Sequence, residues 1–144
     1  MEGKHRDGHF DGVGTVLNLF FRIVKPNKAY FGEKDFQQLQ IVKKLVEIEN
    51  LPVKIVGCPI VREENGLAMS SRNKRLSKDQ LEEAALIHKT LLKVKNEFKN
   101  LSISKLNLLV VNEFKNSPSL TLEYFEIADT ETLKTSIYKS KKKT

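Results

Sequence analysis

The sequence predicts an α/β protein, with a parallel-sheet unit first and a small α+β unit after it. Three observations predict it. Two short apolar runs, Lys28–Phe31 and Val53–Val56, flank a stretch whose apolar residues recur at helical spacing, the pattern of a right-handed βαβ crossover. Each run ends in turn chemistry, "FGEKD" after the first and "GCPIV" after the second. After Arg75 the character changes to two long amphipathic patterns and one alternating run.

The elements follow in order. Residues 12–25, "GVGTVLNLFFRIVK", are apolar too densely for a surface helix and predict one buried on most sides. Pro26 and Asn27 make a turn into the first buried strand, Lys28–Phe31. Asp35 or a neighbour caps a helix over 35–48, with Phe36, Leu39, Val42, Leu45 and Val46 on its inner face. The second buried strand, Val53–Val56, begins after Pro52 and is closed by Gly57 and Pro59. Ser77 then caps a long amphipathic helix, and Ser102 or Ser104 caps another. Finally Leu120, Leu122, Tyr124 or Phe125 and Ile127 alternate as a half-buried strand. A lone strand cannot satisfy its own backbone, so a partner strand is expected from beyond this sequence.

At 144 residues, 40% hydrophobic and 30% charged, the chain has apolar material for a core and no run near the ~18 apolar residues of a membrane span. The first ten residues are charged and lack the apolar region of a secretory signal. The single cysteine, Cys58, excludes an internal disulfide framework. The expected compartment is the cytoplasm. The formal net charge of +7 favours anionic partners, but the tail "YKSKKKT" crowds four lysines into seven residues and reads as a solvated end. Basic residues interleaved with aromatics, which a nucleic-acid surface needs, are absent there, so neither nucleic acid nor membrane is expected as a partner.

Ligands of open parallel sheets collect at the carboxyl ends of the strands, where "FGEKD" and "GCPIVREENGLAMSSRN" both fall. Lys34 offers phosphate a point charge, the following helix start offers N–H groups, and Asp35 offers a carboxylate to ribose hydroxyls. The alternative is a capping aspartate beside a surface lysine. In residues 65–77, Ser70, Ser71 and Arg72 offer hydroxyls and a guanidinium suited to a polyphosphate, although Ser-Ser-Arg-Asn is also ordinary loop chemistry. His5 and His9 stand four apart, but Gly8 between them and the lack of a third ligand argue against zinc. Arg6 and His9 suit a carboxylate or phosphate instead. His88 reads as a surface or boundary residue of its helix, and Cys58 has no visible base to make it a nucleophile.

Four segments, "EGKHRDGHFDGV", "FGEKDFQQL", "VGCPIVRE" and "GLAMSSRN", resemble the pantoate–β-alanine ligases (pantothenate synthetases) in order and spacing. The resemblance runs from Glu2 to about Asp129 and corresponds to the second half of such enzymes. It implies the second half of a Rossmann-like, class I synthetase-like domain over 1–62, a phosphate-binding loop and linker over 63–76, and a small α+β domain over 77–144. It further implies a two-step reaction in which ATP adenylates pantoate and β-alanine displaces AMP, with Mg2+ accompanying the ATP and a homodimer as the assembly.

By the same resemblance Lys34 lies on the ATP phosphates, with Gly32 and Asp35 at the ribose. Gln38 bonds pantoate, and Val61 and Met69 line the adenine pocket. Ser70, Ser71 and Arg72 grip phosphate, Lys34 and these three carry the catalytic role, and Arg6 and His9 form a loop near the substrate. The family's upstream His-x-Gly-His-type motif has no counterpart, and family members continue past this chain's last residue. The expectation is therefore a fragment, inactive alone, whose first half exposes a strand edge. Two rivals remain: a related nucleotidyltransferase-like enzyme with another substrate, and a non-catalytic binding or interaction module.

Overall fold

A computed structural model describes residues 2–139. Met1 and the tail lysines Lys141, Lys142 and Lys143, read above as a solvated end, lie outside the described residues. The chain divides into two units, one ending at Ile60 and the other beginning at Val61.

In the first unit the expected crossover is present. β1 (Lys28–Gly32) leads through a 3₁₀ turn (Glu33–Asp35) into α2 (Phe36–Ile48), which returns the chain to β2 (Lys54–Cys58). The strands pair in parallel from Lys28 opposite Lys54 to Gly32 opposite Cys58. The end of α2 is set locally. Asn50 takes the left-handed conformation at φ 48°, its N–H reaches Glu47 O at 3.3 Å, and Leu51 N–H reaches Val46 O at 3.0 Å. This pair of backward bonds is the Schellman arrangement, and it turns Leu51 into the core.

Phe21, Val42, Leu51 and Val53 form that core, with Val13, Leu17, Ala29, Phe31, Val46 and Ile55 against it. Burial of each of the first four stabilises the unit by roughly 1.5–3 kcal/mol. Two expectations change here. α1 (His9–Val24) starts earlier than predicted and buries one side rather than most sides; only Phe21 is fully buried, while Ile23 is 79% and Val16 64% exposed. Within its unit α1 packs on α2, and one neighbouring layer covers one stripe of a helix. β1 is likewise not buried on both faces: Phe31 faces the core while Tyr30 is exposed, as a strand covered on one side alternates.

The second unit opens with an irregular loop and a 3₁₀ turn (Ser71–Arg75), followed by α3 (Lys78–Glu97) and α4 (Ile103–Lys115). Ser77 and Gln80 form a reciprocal capping box on α3, Gln80 N–H to Ser77 Oγ at 3.2 Å and Ser77 N–H to Gln80 Oε1 at 3.0 Å. Of the two serines offered for α4, Ser102 is the cap. Val94, Leu106 and Val110 are buried where the two helices meet, and Phe98, Leu101 and Phe114 close around them. The strand expected over 120–128 does not form. Leu122, Phe125 and Ile127 pack on the helical core, a spacing that breaks strict alternation, and the described residues of this unit offer no partner strand for a ladder. An isolated antiparallel bridge joins Ala128 to Thr135, with Ser136 N–H on Ile127 O at 2.8 Å beside it. Among the described residues no helix is long and apolar enough to cross a membrane.

Candidate functional site

In the first unit β1 delivers Gly32 at its carboxyl end, and the 3₁₀ turn places Glu33, Lys34 and Asp35 directly before α2. Asp35 occupies the N-cap position of α2, yet its carboxylate caps nothing: no side-chain bond to the helix is made. Instead Oδ1 lies 3.5 Å from Lys34 Nζ, with both side chains well exposed. An exposed pair of this kind is worth ~1 kcal/mol or less, so Lys34 is held only loosely and is free to meet a stronger anion. Gly57 packs closely behind this turn: a Cβ there would sit 3.1 Å from Leu39 Cδ2 and 3.3 Å from Glu33 Oε1, so these side chains would have to shift.

Beside it, a groove of about 880 Å³ opens between the start of α1 and the start of α2. Arg6 and His9 enter from the α1 side, Gln38 from the first turn of α2, and Val13, Leu17 and Phe31 form its apolar floor. The structure thus brings Arg6, His9 and Gln38 together, while Gly32, Lys34 and Asp35 stand at the strand end without lining the groove. Arg6 is lightly engaged, at 3.6 Å from Glu2 on an exposed surface. A cationic side, an amide and an apolar floor suit a small hydroxy acid with an aliphatic body. No group of three or more His, Cys, Asp or Glu side chains among the described residues could hold a metal ion.

In the second unit Val61, Met69, Ser70, Ser71 and Arg72 all lie on one loop. Val61 O accepts from Met69 N–H at 2.9 Å, which sets these two apolar side chains near each other with both exposed. Ser70 is extended, and its Oγ accepts from Arg72 N–H at 3.2 Å, so it caps the 3₁₀ turn that carries Ser71 and Arg72. Both of these residues are exposed.

The loop is fastened by Asn65 and Gly66, to which the sequence alone gives no role, and by His88, the boundary residue of α3. Asn65 Nδ2 donates to Leu81 O of α3 at 2.8 Å, and its Oδ1 accepts from Leu67 N–H at 3.0 Å. Gly66 sits at φ 90° with His88 beneath it: a Cβ there would lie 2.5 Å from His88 Cδ2. His88 is therefore a packing residue under the loop, half-buried, with a buried Nδ1 that finds no partner. A lone histidine on a helix and an asparagine in a polar loop give no periodic signal, so only the folded contacts single them out.

The profile of one protein family, described as pantoate-beta-alanine ligase, matches residues 1–144. The chain belongs to that family. Among pantothenate synthetases, it is 57% identical over 134 residues to that of Christiangramia forsetii, covering 93% of this chain and 47% of that protein. To that of Flavobacterium psychrophilum it is 54% identical over 143 residues, covering 99% of this chain and 51% of that protein. The crystal structure of the pantothenate synthetase from Thermus thermophilus matches with a TM-score of 0.90 at 38% identity, over 97% of this chain and 51% of that one. A ligase of the same family from Francisella tularensis, complexed with beta-gamma ATP and beta-alanine, matches with a TM-score of 0.64 at 40% identity, over 78% of this chain and 42% of that one. The expected α/β fold is thus the fold of solved pantothenate synthetases. The chain spans about half the length of the family members it matches.

Proposed function

We propose that this chain serves an ATP-dependent ligation of pantoate to β-alanine. The pantoate carboxylate attacks the α-phosphorus of ATP and pyrophosphate leaves. The β-alanine amine then attacks the acyl carbon of the pantoyl adenylate, and AMP leaves as pantothenate forms. One observation carries the reading: Arg6, His9 and Gln38 share a groove beside the carboxyl end of β1, in a chain that the ligase profile matches throughout. The beta-gamma ATP and beta-alanine with which the Francisella tularensis ligase is complexed support it.

In this reading Gln38 hydrogen-bonds pantoate over the apolar floor, while Arg6 and His9 face its carboxylate. Lys34 reaches the ATP phosphates from the turn before α2 and offsets charge on the leaving pyrophosphate. Gly32 leaves space for the ribose, and Asp35 accepts from its hydroxyls. Val61 and Met69 cover the adenine, and Ser70, Ser71 and Arg72 grip phosphate oxygens. Mg2+ would accompany the ATP on the phosphates it neutralises. Positioning of this kind, rather than covalent chemistry by the protein, supplies most of the rate.

The assembly in this reading is a cytoplasmic homodimer, and the 144-residue chain alone lacks ligase activity. The test is AMP release from ATP by the full-length gene product, with and without pantoate and β-alanine. Release that needs both substrates establishes the ligase. Release indifferent to pantoate sinks it in favour of another nucleotidyltransferase. Steady pantothenate formation by residues 1–144 alone would refute the claim of inactivity.

A further inference from the structure

The turn carrying Ser71 and Arg72 is exposed, and a 3₁₀ turn has weak bonds of its own. What holds it is a small polar strut. The preceding segment doubles back on itself: Glu63 N–H bonds Leu67 O at 2.8 Å, Arg62 and Ala68 form an antiparallel bridge, and Met69 N–H bonds Val61 O at 2.9 Å. Arg62 Nη1 also donates to Gly66 O at 3.1 Å, tightening the bend. From the middle of the 3₁₀ turn, Asn73 reaches back across both arms of this doubled segment. Its Nδ2 donates to Glu63 Oε1 at 3.2 Å on the outgoing arm and to Ala68 O at 3.1 Å on the returning arm. Its own N–H is held by Ser70 O at 3.0 Å, and its carbonyl takes Leu76 N–H at 3.0 Å. Asn73 and Glu63 are both half-buried, while Ser71 and Arg72 between these anchors are exposed.

We infer that Asn73 and Glu63 are positioning residues, fixing the backbone of Ser70–Arg72 so that the Ser71 hydroxyl and the Arg72 guanidinium are presented together to a polyphosphate. The inference rests on the ATP reading above and adds two residues that touch no substrate. The strut works by direction: an amide donor on Asn73 faces two acceptors. Reversing that direction breaks it, and a donor on the other arm mends part of it.

The experiment compares N73D, E63Q, the double variant N73D/E63Q and R72A in the full-length gene product. It reads KM for ATP and for β-alanine, together with amide hydrogen exchange. N73D sets a carboxylate against the Glu63 carboxylate and the Ala68 carbonyl. It should raise KM for ATP roughly five- to tenfold, leave KM for β-alanine unchanged, and speed exchange at Arg72, Asn73 and Leu76 but not along α3. In the double variant the new amide on the 63 side donates to the introduced carboxylate, and part of the ATP affinity returns. Unchanged exchange at the turn in N73D refutes the strut whatever the activity. If R72A raises KM for ATP and N73D does not, the positioning role is wrong. If neither variant moves KM for ATP while the turn loosens, the strut stands as structure, and the assignment of this turn to ATP is what fails. Loss of protection throughout α3, or no rescue by the second substitution, would make Asn73 an ordinary structural residue.

Discussion

Gly66→Ala tests how the loop leading to Ser70–Arg72 is seated on α3. Gly66 has φ 90°, outside the range that L side chains adopt comfortably, and a Cβ there would lie 2.5 Å from His88 Cδ2 and 3.3 Å from Cγ. Two costs combine. A non-glycine residue in this backbone region costs about 1–3 kcal/mol, and forcing a methyl into an occupied site costs about 1–3 kcal/mol more. The expected loss is therefore roughly 2–6 kcal/mol in the wild-type background. His88→Ala removes the ring that blocks the methyl, and the Nδ1 lost with it has no hydrogen-bond partner in the fold. In that background Gly66→Ala should cost only the backbone part, about 1–3 kcal/mol. The assay is urea unfolding of the four proteins of this double-mutant cycle, read as midpoints at unchanged slope. A Gly66→Ala cost equal in both backgrounds would show that the ring is not the obstacle. A cost near zero in the wild type would overturn the backbone argument as well.

Two further outcomes are expected. Glu83 of α3 accepts from the Ser117 hydroxyl and from Ser119 N–H, the latter at 3.2 Å, and these bonds, Ser117 first, hold its carboxyl below the ordinary glutamate value. A pKa depressed in the folded state stabilises above the unfolded value and is lost as pH falls through the folded one. Glu83→Gln should thus flatten the acid limb of the stability profile below the ordinary glutamate range and leave its alkaline limb alone; an unchanged acid limb would contradict this. Lys34→Ala should lower kcat/KM for ATP roughly 10- to 100-fold, as loss of a charged hydrogen bond predicts, without destabilising the fold, because its partner Asp35 is exposed. A change in kcat/KM under twofold would remove Lys34 from the site.

Local signals were enough for most of the fold. The βαβ unit follows from two short apolar runs around one helical period, and the start of α3 follows from Ser77 as its cap, to which the structure adds the reciprocal bond of Gln80. The misses share one cause. Apolar density in α1 says that Val16 and Ile23 want cover, not whether the described chain supplies it, and here it does not. The run from Leu120 to Ile127 does supply core residues, Leu122, Phe125 and Ile127, but Leu122 and Phe125 are three apart, a spacing that no regular strand puts on one face. A strand also needs a second backbone at hydrogen-bonding distance, which no single segment encodes.

The site divides along the same line. Lys34 and Asp35 were placed at the mouth of the sheet by topology alone, but sequence offers two uses for an aspartate at a strand-to-helix junction, cap or ligand. Both uses put the same residue at the same position, so no pattern separates them. In the structure the cap position is occupied and the capping bond is not made, so the carboxylate stands exposed beside a loosely held lysine. Asn73 shows the reverse case. In sequence it closes a Ser-Ser-Arg-Asn run that looks like loop filler, yet its amide spans Glu63 and Ala68, ten and five residues back, and ties the turn together. A ligand-facing residue can be guessed from where topology must place it. A residue that only holds another in place is defined by its partners, and so becomes visible only once the chain is folded.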